Sequence, residues 1–582
     1  MTVAVIVADE QDVGKFGRYL AEILRAEGLA DLEIIGLRSP RLHDLTEFAA
    51  VVVARSRPSK VQTARLRAFA EGGGRLVLVR PSYYLARALG LRSASTMVAP
   101  AYVRPSDTSP IASGLPQEPI ETHLPADAYA PEALPADALT VARLYADIGT
   151  ATSFPAIVEL PFGDGHVVVF TYDLAQAVSL IRQGDPDRVG GRGLGAGEPY
   201  RIQDLLTGYA DSGCWHLPQA DLHAAMLVNA VNQMATFPQA RMWYYPEPVH
   251  RSVLVLDSDD DWSASEHFDT LLGAVDAHGG KITVYLMSGT SRGTVASPEK
   301  VAEWRARGHS FGVHHDPSDP SFGGEDPEEV ILDLVRKDLA DFDRHYGGGV
   351  PTTNRNHCLA WKGYVDLPKL YAELGVRMDL NSVGAGPSWL QYLTGSARPV
   401  RFVDADGTVV NCFQQSTQAY DDLAVKGLLS ADPRGQAHLT RKLMEDKVTR
   451  YFSPLSMLSH PVSFFTYSRA YMELCWQAAS ELRMPIWSAF EWADFVVARD
   501  QARISAATCT DGVLRYRVTG KSPTGSLTIL LPVASDRVSR ATVDTEVVPV
   551  TGIDVFGWSC SLIPISVEHD RASPHEITVE TC

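Results

Sequence analysis

Four carboxylates follow a short apolar run in LVLDSDDDW, which spans residues 254–262. The acids are Asp257, Asp259, Asp260 and Asp261. Crowded carboxylates repel one another unless a cation lies between them, and the stretch lacks the ligand spacing of a helix–loop–helix calcium site. Because β/α folds build their sites at the carboxyl ends of buried strands, we predict a metal beside Asp259 and Asp260. The flanking Asp257 and Asp261 are expected to cap the loop.

Four further groups of polar side chains follow apolar or helical segments later in the chain. Histidines, carboxylates and arginine dominate them, and these residue types bind zinc and transfer protons in hydrolases. The groups are His314 and His315 in SFGVHHD, Arg355, His357 and Cys358 in NRNHC, Asp379 in RMDLNS, and His460 in SMLSHP. His314 and His315 are neighbours on a predicted strand, so they face opposite ways and rarely share a metal.

The elements that must position these groups form a β/α series from Ser252 to about Asp500. The strand KITVYLM, the capped helix SPEKVAEWRARG and the strand SFGVHH follow one another there. The carboxyl ends of the strands in such a series meet at one face. The pattern therefore predicts a central barrel-like domain over residues 246–500, with the polar groups at one end.

Two other patterns flank this domain and complete an α/β fold class. Residues 1–240 begin with alternating strands and helices, such as VAVIVADE and FGRYLAEILRAEG, which predicts a parallel sheet with helices on both faces. Residues 501–582 contain short alternating runs separated by turn residues, which is typical of an antiparallel β-sandwich. We therefore predict three domains, 1–240, 246–500 and 501–582.

Composition and charge argue against several classes of partner. The chain has 52 Lys plus Arg against 70 Asp plus Glu, a net charge of −18, so we expect no nucleic-acid partner. The sequence contains no apolar run of about 18 residues, so we predict no membrane span. The start, MTVAVIVADEQDVGKF, lacks the basic and apolar regions of a signal peptide, which predicts a cytoplasmic protein. Seven scattered cysteines favour reduced thiols. The oligomeric state stays open, and a homo-oligomer is one option.

The order of the polar groups resembles the motif order of the polysaccharide deacetylase family (NodB-homology, carbohydrate esterase family four-like). The resemblance covers residues 252–500 and implies a distorted β/α barrel. Five motifs match in order: Asp259 and Asp260 after a strand, GHSFGVH at 308–314, Arg355 in NRNH, an acid at Asp379, and LSH at 458–460.

The resemblance implies metal-dependent removal of an acyl group from an N-acylated sugar. In this scheme Asp260 and His314 bind a divalent metal, with zinc the first choice, and the metal acidifies a water molecule. Asp259 acts as the general base. Arg355 keeps Asp259 ionised and oriented.

The resemblance also assigns roles around the leaving group and the substrate. His460 protonates the leaving amine as general acid, and the backbone N–H of Cys358 helps to stabilise the oxyanion. Asp379 supports the site by pairing with Arg355 or His460. Trp262 and Trp361 are candidates for stacking on a sugar, although aromatic residues more often belong to a core.

Departures from the family pattern leave the third metal ligand open. The family has a second histidine four residues after the first, where this chain has Ser318. The third motif instead gains His357, and we therefore favour an Asp260–His314–His357 site. The alternatives are an acid from the 316–319 loop and no metal at all.

Residues 1–240 resemble the class I glutamine-amidotransferase-like (ThuA-like) proteins in their pattern of strands and helices. The resemblance implies a flavodoxin-like sheet. Such enzymes carry a nucleophilic cysteine at a strand-to-helix elbow, whereas the first cysteine here, Cys214, lies past the predicted sheet. We therefore expect the N-terminal domain to be non-catalytic.

The favoured function is a metal-dependent carbohydrate deacetylase, an amidohydrolase. It would remove an N-acyl group, with an O-acyl group as second choice, from a glycan or a glycosylated small molecule. One alternative is a catalytically inactive, deacetylase-like protein for carbohydrate binding or assembly. The other is a glycosidase or another carbon–nitrogen hydrolase on a related barrel, with Asp259 and Asp379 as a candidate carboxylate pair.

Overall fold

A computed structural model describes most of the chain. The described residues are 2–9, 13–191, 199–288, 293–382, 384, 392–422 and 432–581. They form an α/β fold with an N-terminal sheet that is part parallel and part antiparallel, a curled half-barrel sheet in the centre and sandwich-like C-terminal sheets, so the predicted fold class is confirmed, although the N-terminal sheet is not parallel throughout. None of the described helices combines the length and the hydrophobicity that a membrane span requires.

The N-terminal part is built on a nine-stranded sheet. Its first strands are continuous apolar runs buried on both faces, and they pair in parallel, as helix-covered strands do. The sheet order is β2-β1-β3-β4-β11-β10-β9-β6-β7, and β5 pairs with β8. The strands are β1 (Val3–Val7), β2 (Leu32–Gly36), β3 (Ala50–Val53), β4 (Arg75–Val79), β5 (Ser93–Val98), β6 (Tyr102–Pro105), β7 (Ile120–Glu121), β8 (Ala126–Tyr129), β9 (Leu139–Tyr145), β10 (Ala151–Phe162) and β11 (Gly165–Phe170). The helices are α1 (Gly17–Ala26), α2 (Lys60–Glu71), α3 (Tyr83–Ala88), α4 (Leu174–Gln183) and α5 (Gln219–Met234).

The central sheet has ten strands and places the polar groups at its carboxyl edge. Its order is β18-β19-β17-β16-β15-β14-β13-β21-β20, with β22 also paired to β13, and only β18 and β19 pair antiparallel among these described strands. The strands, after β12 (Arg241–Met242) in the preceding segment, are β13 (Leu254–Asp259), β14 (Thr283–Leu286), β15 (Ser310–His315), β16 (Thr353–Asn356), β17 (Met378–Asp379), β18 (Val400–Val403), β19 (Val409–Gln414), β20 (Thr417–Tyr420), β21 (Leu455–Ser459) and β22 (Ile486–Ser488). The helices are α6 (Ser265–Ala277), α7 (Pro298–Ala306), α8 (Pro327–Tyr346), α9 (Asp366–Leu374), α10 (Pro433–Asp446), α11 (Pro461–Ser463), α12 (Arg469–Glu481) and α13 (Ala489–Gln501).

The C-terminal part consists of two antiparallel sheets. One has the order β12-β25-β29-β28, so a strand from the preceding segment joins it, and the other has the order β23-β24-β30-β26-β27. The strands are β23 (Arg503–Thr510), β24 (Val513–Gly520), β25 (Ser526–Leu531), β26 (Val538–Val543), β27 (Glu546–Val547), β28 (Thr551–Val555), β29 (Trp558–Ser566) and β30 (Ser573–Thr581). Alternating buried and exposed residues along β24 produce the single apolar face that such a sheet needs.

The three parts share one packed interior. A continuous hydrophobic core contains buried residues of all three, from Val3 to Val579. A buried ion pair also crosses between the N-terminal and central parts, with Arg398 Nη2 3.0 Å from Glu27 Oε1. Arg398 Nη1 also donates to the Tyr244 hydroxyl at 2.6 Å. The N-terminal sheet is therefore fixed relative to the half-barrel.

Lys447, in a π-helical turn over Lys447–Tyr451, gives a pH-dependent prediction. Its ammonium group is fully buried, 3.3 Å from Ser453 Oγ. Burial lowers the pKa of Lys447 from 10.5 to about 7, although the nearby carboxylates of Asp221 and Asp446 act to raise it. The folded chain thus releases this proton at lower pH than the unfolded chain does, so Lys447 makes stability rise between pH 7 and 10 by up to about 1.4 kcal/mol per pH unit.

Lys447→Met is expected to raise the melting temperature at pH 7, because folding then no longer has to bury a charged amine or remove its proton. The advantage over the wild-type protein should shrink by pH 9, where the wild-type lysine folds in its neutral form. Differential scanning calorimetry of both proteins at the two pH values measures this difference. An advantage that stays constant with pH would contradict the assignment.

Candidate active site

A cavity of about 350 Å³ lies at the carboxyl ends of five central strands, β13, β15, β16, β20 and β21. The register of the sheet creates this meeting point, since His314 at the end of β15 lies beside Arg355 on β16, and Ser258 on β13 lies beside Ser459 on β21. His460 follows Ser459 directly. The side chains that line the cavity include Asp259, Asp261, His314, His357, Cys358 and His460.

Three histidines surround the carboxylate of Asp261. Its Oδ1 lies 3.4 Å from His314 Nε2 and 4.0 Å from His357 Nε2, while its Oδ2 lies 3.5 Å from His460 Nε2. Burial opposes ionisation of this group, but the interactions with His314 and the other nearby histidines hold the pKa of Asp261 below its usual range. The site thus places one carboxylate beside three imidazole nitrogens.

The far nitrogen of each histidine has its own acceptor, which fixes the orientation of the ring. The Nδ1 contacts are His314 to the Arg355 carbonyl oxygen at 3.1 Å, His357 to Asp316 Oδ1 at 2.9 Å, and His460 to Asp421 Oδ1 at 2.9 Å. Carbonyl and carboxylate oxygens only accept, so each Nδ1 carries the hydrogen. In the neutral form, His314 and His357 therefore present an unprotonated Nε2 toward Asp261, as metal-binding histidines do.

Asp261 occupies this position because the chain leaves its strand in a strained turn. Asp261 has φ of 41° and Trp262 has φ of 57°, both in the left-handed region that costs about 1–2 kcal/mol per non-glycine residue. Ser263 closes the turn, with its N–H donating to the Asp260 carbonyl oxygen at 2.9 Å. Strain of this kind is typically found where a side chain must be aimed at a site.

Asp260, the predicted metal ligand, is used differently. It is fully buried, and its Oδ1 and Oδ2 accept the backbone N–H groups of Ser263 at 3.0 Å and Met287 at 3.1 Å. Asp259 and Asp261 therefore line the cavity, whereas the carboxylate of Asp260 is bound to the backbone outside the cavity lining. Asp261, which was expected to cap the loop, faces the cavity in place of Asp260.

Asp259 lies near Arg355, but a third residue binds the arginine more closely. Asp259 Oδ1 is 3.8 Å from Arg355 Nε and 3.7 Å from His314 Nδ1. Arg355 Nε and Nη2 both donate to Asp257 Oδ2, at 2.9 and 2.6 Å. All four side chains are buried, so the Arg355 charge offsets two carboxylates at once.

His460 is paired with two acids that follow β20. Its Nδ1 lies 2.9 Å from Asp421 Oδ1 and 3.3 Å from Asp422 Oδ1. Burial disfavours the charged imidazolium, but the two carboxylates raise the pKa of His460 above its ordinary value. Among the described residues, these three form the one set of histidine, cysteine or acidic groups whose ligand atoms all lie within 4.8 Å of one another.

Asp379 does not make the contacts expected of it. Its carboxylate accepts two hydrogen bonds from Asn381, at 3.0 and 2.6 Å, in the buried interior. The partners predicted for it are taken by other acids, since Asp257 binds Arg355 and Asp421 binds His460. The expected supporting carboxylates therefore exist, at different positions in the sequence.

The three residues predicted to contact substrate have different environments. Cys358 is exposed, lines the cavity and has φ of 52°. The Trp262 ring packs edge-on against His357, with ring centroids 5.3 Å apart. Trp361 is fully buried, donates its indole N–H to the Tyr364 carbonyl oxygen at 3.1 Å and packs in the core. Trp361 is therefore a packing residue and cannot line a sugar groove.

Comparisons with known proteins give structural similarities at low identity. No protein-family model matches the chain, and no curated protein matches it significantly. The crystal structure of Agd3, described as a novel carbohydrate deacetylase, aligns over 100% of this chain and 99% of its own at 11% identity and a TM-score of 0.44. A putative polysaccharide deacetylase from Mycobacterium smegmatis aligns over 46% of this chain and 96% of its own at 14% identity, with a TM-score of 0.32.

Glycosidases also resemble part of the chain. The beta-galactosidase from Bacillus circulans sp. alkalophilus aligns over 30% of each chain at 14% identity, with a TM-score of 0.24. All three TM-scores are below 0.5, so the activity of the chain has to be argued from its own residues. The amidotransferase-like resemblance of residues 1–240 stays a prediction.

Sequence reasoning missed Asp421 and the cavity wall formed by Arg201 and Gln203. Asp421 carried a usable signal, because two adjacent acids directly follow the short run TQAY. Asp316 was considered as a direct ligand, whereas it orients His357. Arg201 and Gln203 lie more than fifty positions before the first matched motif, and no local pattern marks them.

The buried Arg355–Asp257 pair supports a stability prediction. Arg355→Met is expected to destabilise the fold by about 3–5 kcal/mol, because Asp257 would keep a buried charge with no partner. Thermal unfolding followed by circular dichroism measures the loss. The double variant Asp257→Leu/Arg355→Met should recover part of it, since both charges are then absent. A single variant as stable as the wild-type protein would show that the pair is not needed.

Proposed function

We propose that the chain is a metal-dependent hydrolase that removes an N-acyl group from a sugar unit of a glycan or a glycosylated small molecule. The observation that carries the proposal is the convergence of three histidine Nε2 atoms on Asp261 beside Asp259 in one cavity. Each histidine is oriented by its own acceptor. This arrangement supplies metal ligands, a base and an acid within reach of one substrate group.

The proposed metal ligands are Asp261, His314 and His357, a set of one oxygen and two nitrogens that suits zinc. Ligand atoms of a tetrahedral zinc are about 3.4 Å apart, so the 3.4 Å separation of Asp261 Oδ1 and His314 Nε2 fits. The 4.0 Å separation to His357 Nε2 is wide, and the three ligand atoms do not all lie within 4.8 Å of one another, so His357 would have to move closer to share the metal. A bound zinc would lower the pKa of a water molecule and polarise the acyl carbonyl group. Asp316 would act by orienting His357, as acids behind metal-binding histidines do.

The chain's own residues supply the proton transfers. Asp259 would take the proton from the attacking water, and Arg355 favours the ionised state that this needs. Water oxygen bonds to the acyl carbon, the carbon–nitrogen bond breaks, and His460 gives its proton to the leaving amine. Asp421 keeps His460 charged and oriented for that step. The backbone N–H of Cys358 is the proposed donor to the oxyanion.

The alternative functions have weaker support. A glycosidase would need Asp259 to work with a second carboxylate. Asp379 is buried and held by Asn381, and Asp261, which shares the cavity with Asp259, is surrounded by three histidines in an arrangement that favours a metal ligand. A purely carbohydrate-binding protein would not need a base, an oriented acid and two oriented histidines in one cavity. Both alternatives remain outcomes of the test below.

The test uses the purified full chain, loaded with zinc, and N-acetylated chitooligosaccharides. We expect acetate release, one zinc per chain by metal analysis, and no new reducing ends. Asp259→Asn should retain the metal and lose acetate release, which separates the base from the ligands. New reducing ends without acetate would establish a glycosidase, and oligosaccharide binding with neither product would establish a binding protein.

A further inference from the structure

The N-terminal part supplies one wall of the candidate site. A short segment between α4 and α5 reaches the loop that follows β16, and its Arg201 and Gln203 line the cavity with His357 and Cys358. The segment is anchored by the fully buried Tyr200, Ile202 and Leu205. It is therefore a fixed part of the site.

Arg201 contacts the loop that follows β16 and carries His357 and Cys358 at several points. Its Nε donates to the carbonyl oxygen of Cys358 at 2.6 Å, and its backbone forms an antiparallel bridge with Ala360. The N–H of Trp361 donates to the Tyr200 carbonyl oxygen at 2.7 Å. Arg201 is only 9% exposed, so these contacts are shielded from water.

The loop that Arg201 holds is strained. Cys358 and Leu359 have φ of 52° and 58°, so two successive non-glycine residues adopt the left-handed conformation. Such a turn persists only where surrounding contacts hold it. His357, the proposed third metal ligand, directly precedes the turn, so the bond from Arg201 to Cys358 also fixes the approach of His357 to Asp261.

The side-chain amide of Gln203 has an unsatisfied hydrogen-bond acceptor, which is a feature of a substrate-binding group. It is half-buried on the cavity wall, and its Oε1 has no hydrogen-bond partner among the described residues. A buried amide oxygen without a partner is unusual and costs free energy unless a ligand satisfies it. A sugar hydroxyl or an acetamido N–H has the donor that this oxygen needs.

We propose that the N-terminal part completes the active site of the half-barrel. In this proposal, which rests on the proposed function, Gln203 accepts a hydrogen bond from a hydroxyl or amide N–H of the sugar. Arg201 is a positioning residue that holds the His357–Cys358 turn. The predicted non-catalytic N-terminal domain then takes part in substrate binding without contributing to bond breaking.

Gln203→Ala tests the binding residue. We expect KM for N-acetylated chitooligosaccharides to rise about 3- to 10-fold with kcat nearly unchanged, which is the effect of one lost hydrogen bond. Calorimetric titration of the same sugar into the Asp259→Asn protein, with and without Gln203→Ala, should show the same loss in affinity. Gln117→Ala, which removes a half-buried amide that does not line the cavity, is the control. Unchanged KM and affinity would overturn the role of Gln203.

Arg201→Lys tests the positioning residue through metal binding. We expect zinc affinity, measured by competition with a chromophoric chelator, to fall about 10- to 100-fold. Arg104→Lys is matched, because Arg104 Nε also donates to a backbone carbonyl group, that of Gln117, at 2.8 Å. Unchanged zinc affinity in Arg201→Lys would overturn the positioning role.

The wild-type protein separates this inference from the proposed function. If it binds neither zinc nor the oligosaccharide, the proposed function fails and the inference fails with it. If it binds both and the two variants behave like their controls, the inference alone fails. Thermal melting within about 2 °C of the wild-type value in each variant shows that the fold is intact.

Discussion

Asp261→Asn is expected to lose zinc binding, and its kcat/KM should fall at least about 100-fold. Removing a residue that merely supports a metal ligand already lowers metal affinity or activity about 10- to 100-fold, and Asp261 is a proposed ligand itself. Among the residues that the structure describes, its carboxylate is the one that lies within 4.0 Å of His314, His357 and His460. Asparagine keeps the shape and tolerates the left-handed conformation at this position. The melting temperature should therefore stay near the wild-type value while metal content, measured by plasma emission spectrometry, falls.

Asp260→Asn is the matched control, because it changes the neighbouring carboxylate in the same way. One of its oxygens becomes an NH₂ group that faces a backbone N–H, from Ser263 or Met287, in place of an acceptor. We expect a stability loss of about 1–3 kcal/mol with zinc retained. If Asp260→Asn loses zinc and Asp261→Asn keeps it, the assignment of Asp261 as the metal ligand is wrong.

His460→Ala is expected to lower kcat about 10²- to 10⁴-fold on an N-acetylated sugar, the usual contribution of a general acid. An amine cannot leave as an anion, so a proton must reach the nitrogen as the bond breaks. An aryl acetate, whose phenolate leaves unprotonated, should lose less than about 10-fold. Comparing kcat for the two substrates measures the acid role itself. Equal losses on both would show that His460 has another role.

Comparing kcat for the N-acetylated sugar and the aryl acetate also distinguishes the roles of the two acids beside His460, Asp421 and Asp422. Asp421 is fully buried and bonds to both the Nδ1 and the backbone N–H of His460, whereas Asp422 is half-exposed and lies 3.3 Å away. Asp421→Asn should therefore cause an intermediate, leaving-group-dependent loss, and Asp422→Asn a small one. Zinc content should be unchanged in both variants. Loss of zinc from both would favour a metal at the Asp421–Asp422–His460 set instead.

The half-barrel and the edge that carries the site could be predicted from the sequence, because apolar strands followed by polar groups recur in a fixed order. The choice between adjacent acids could not be made in the same way. The matched motif indicated Asp259 and Asp260, although the alternation that separated His314 from His315 applies equally to aspartates. His315 does face the opposite way, bonded to Asp338 at 3.1 Å.

Residues that act across the sheet were the hardest to predict. Asp379 matched the order of an expected motif, yet β21 and β20 bring Asp421 to His460. Pairing between strands depends on the three-dimensional order of the sheet, which the linear sequence does not state. Trp361 illustrates the same limit, since a tryptophan beside a motif has no sequence feature that distinguishes a groove from a core.

The shared interior has a consequence for how this protein can change over time. Buried groups of the N-terminal part, such as Glu27, depend on partners in the half-barrel, such as Arg398. An exchange of either part for a homologous one would leave a buried charge unpaired and an apolar surface bare. The three parts therefore have to be inherited and varied together, and recombination at their boundaries is disfavoured even though each has its own sheet.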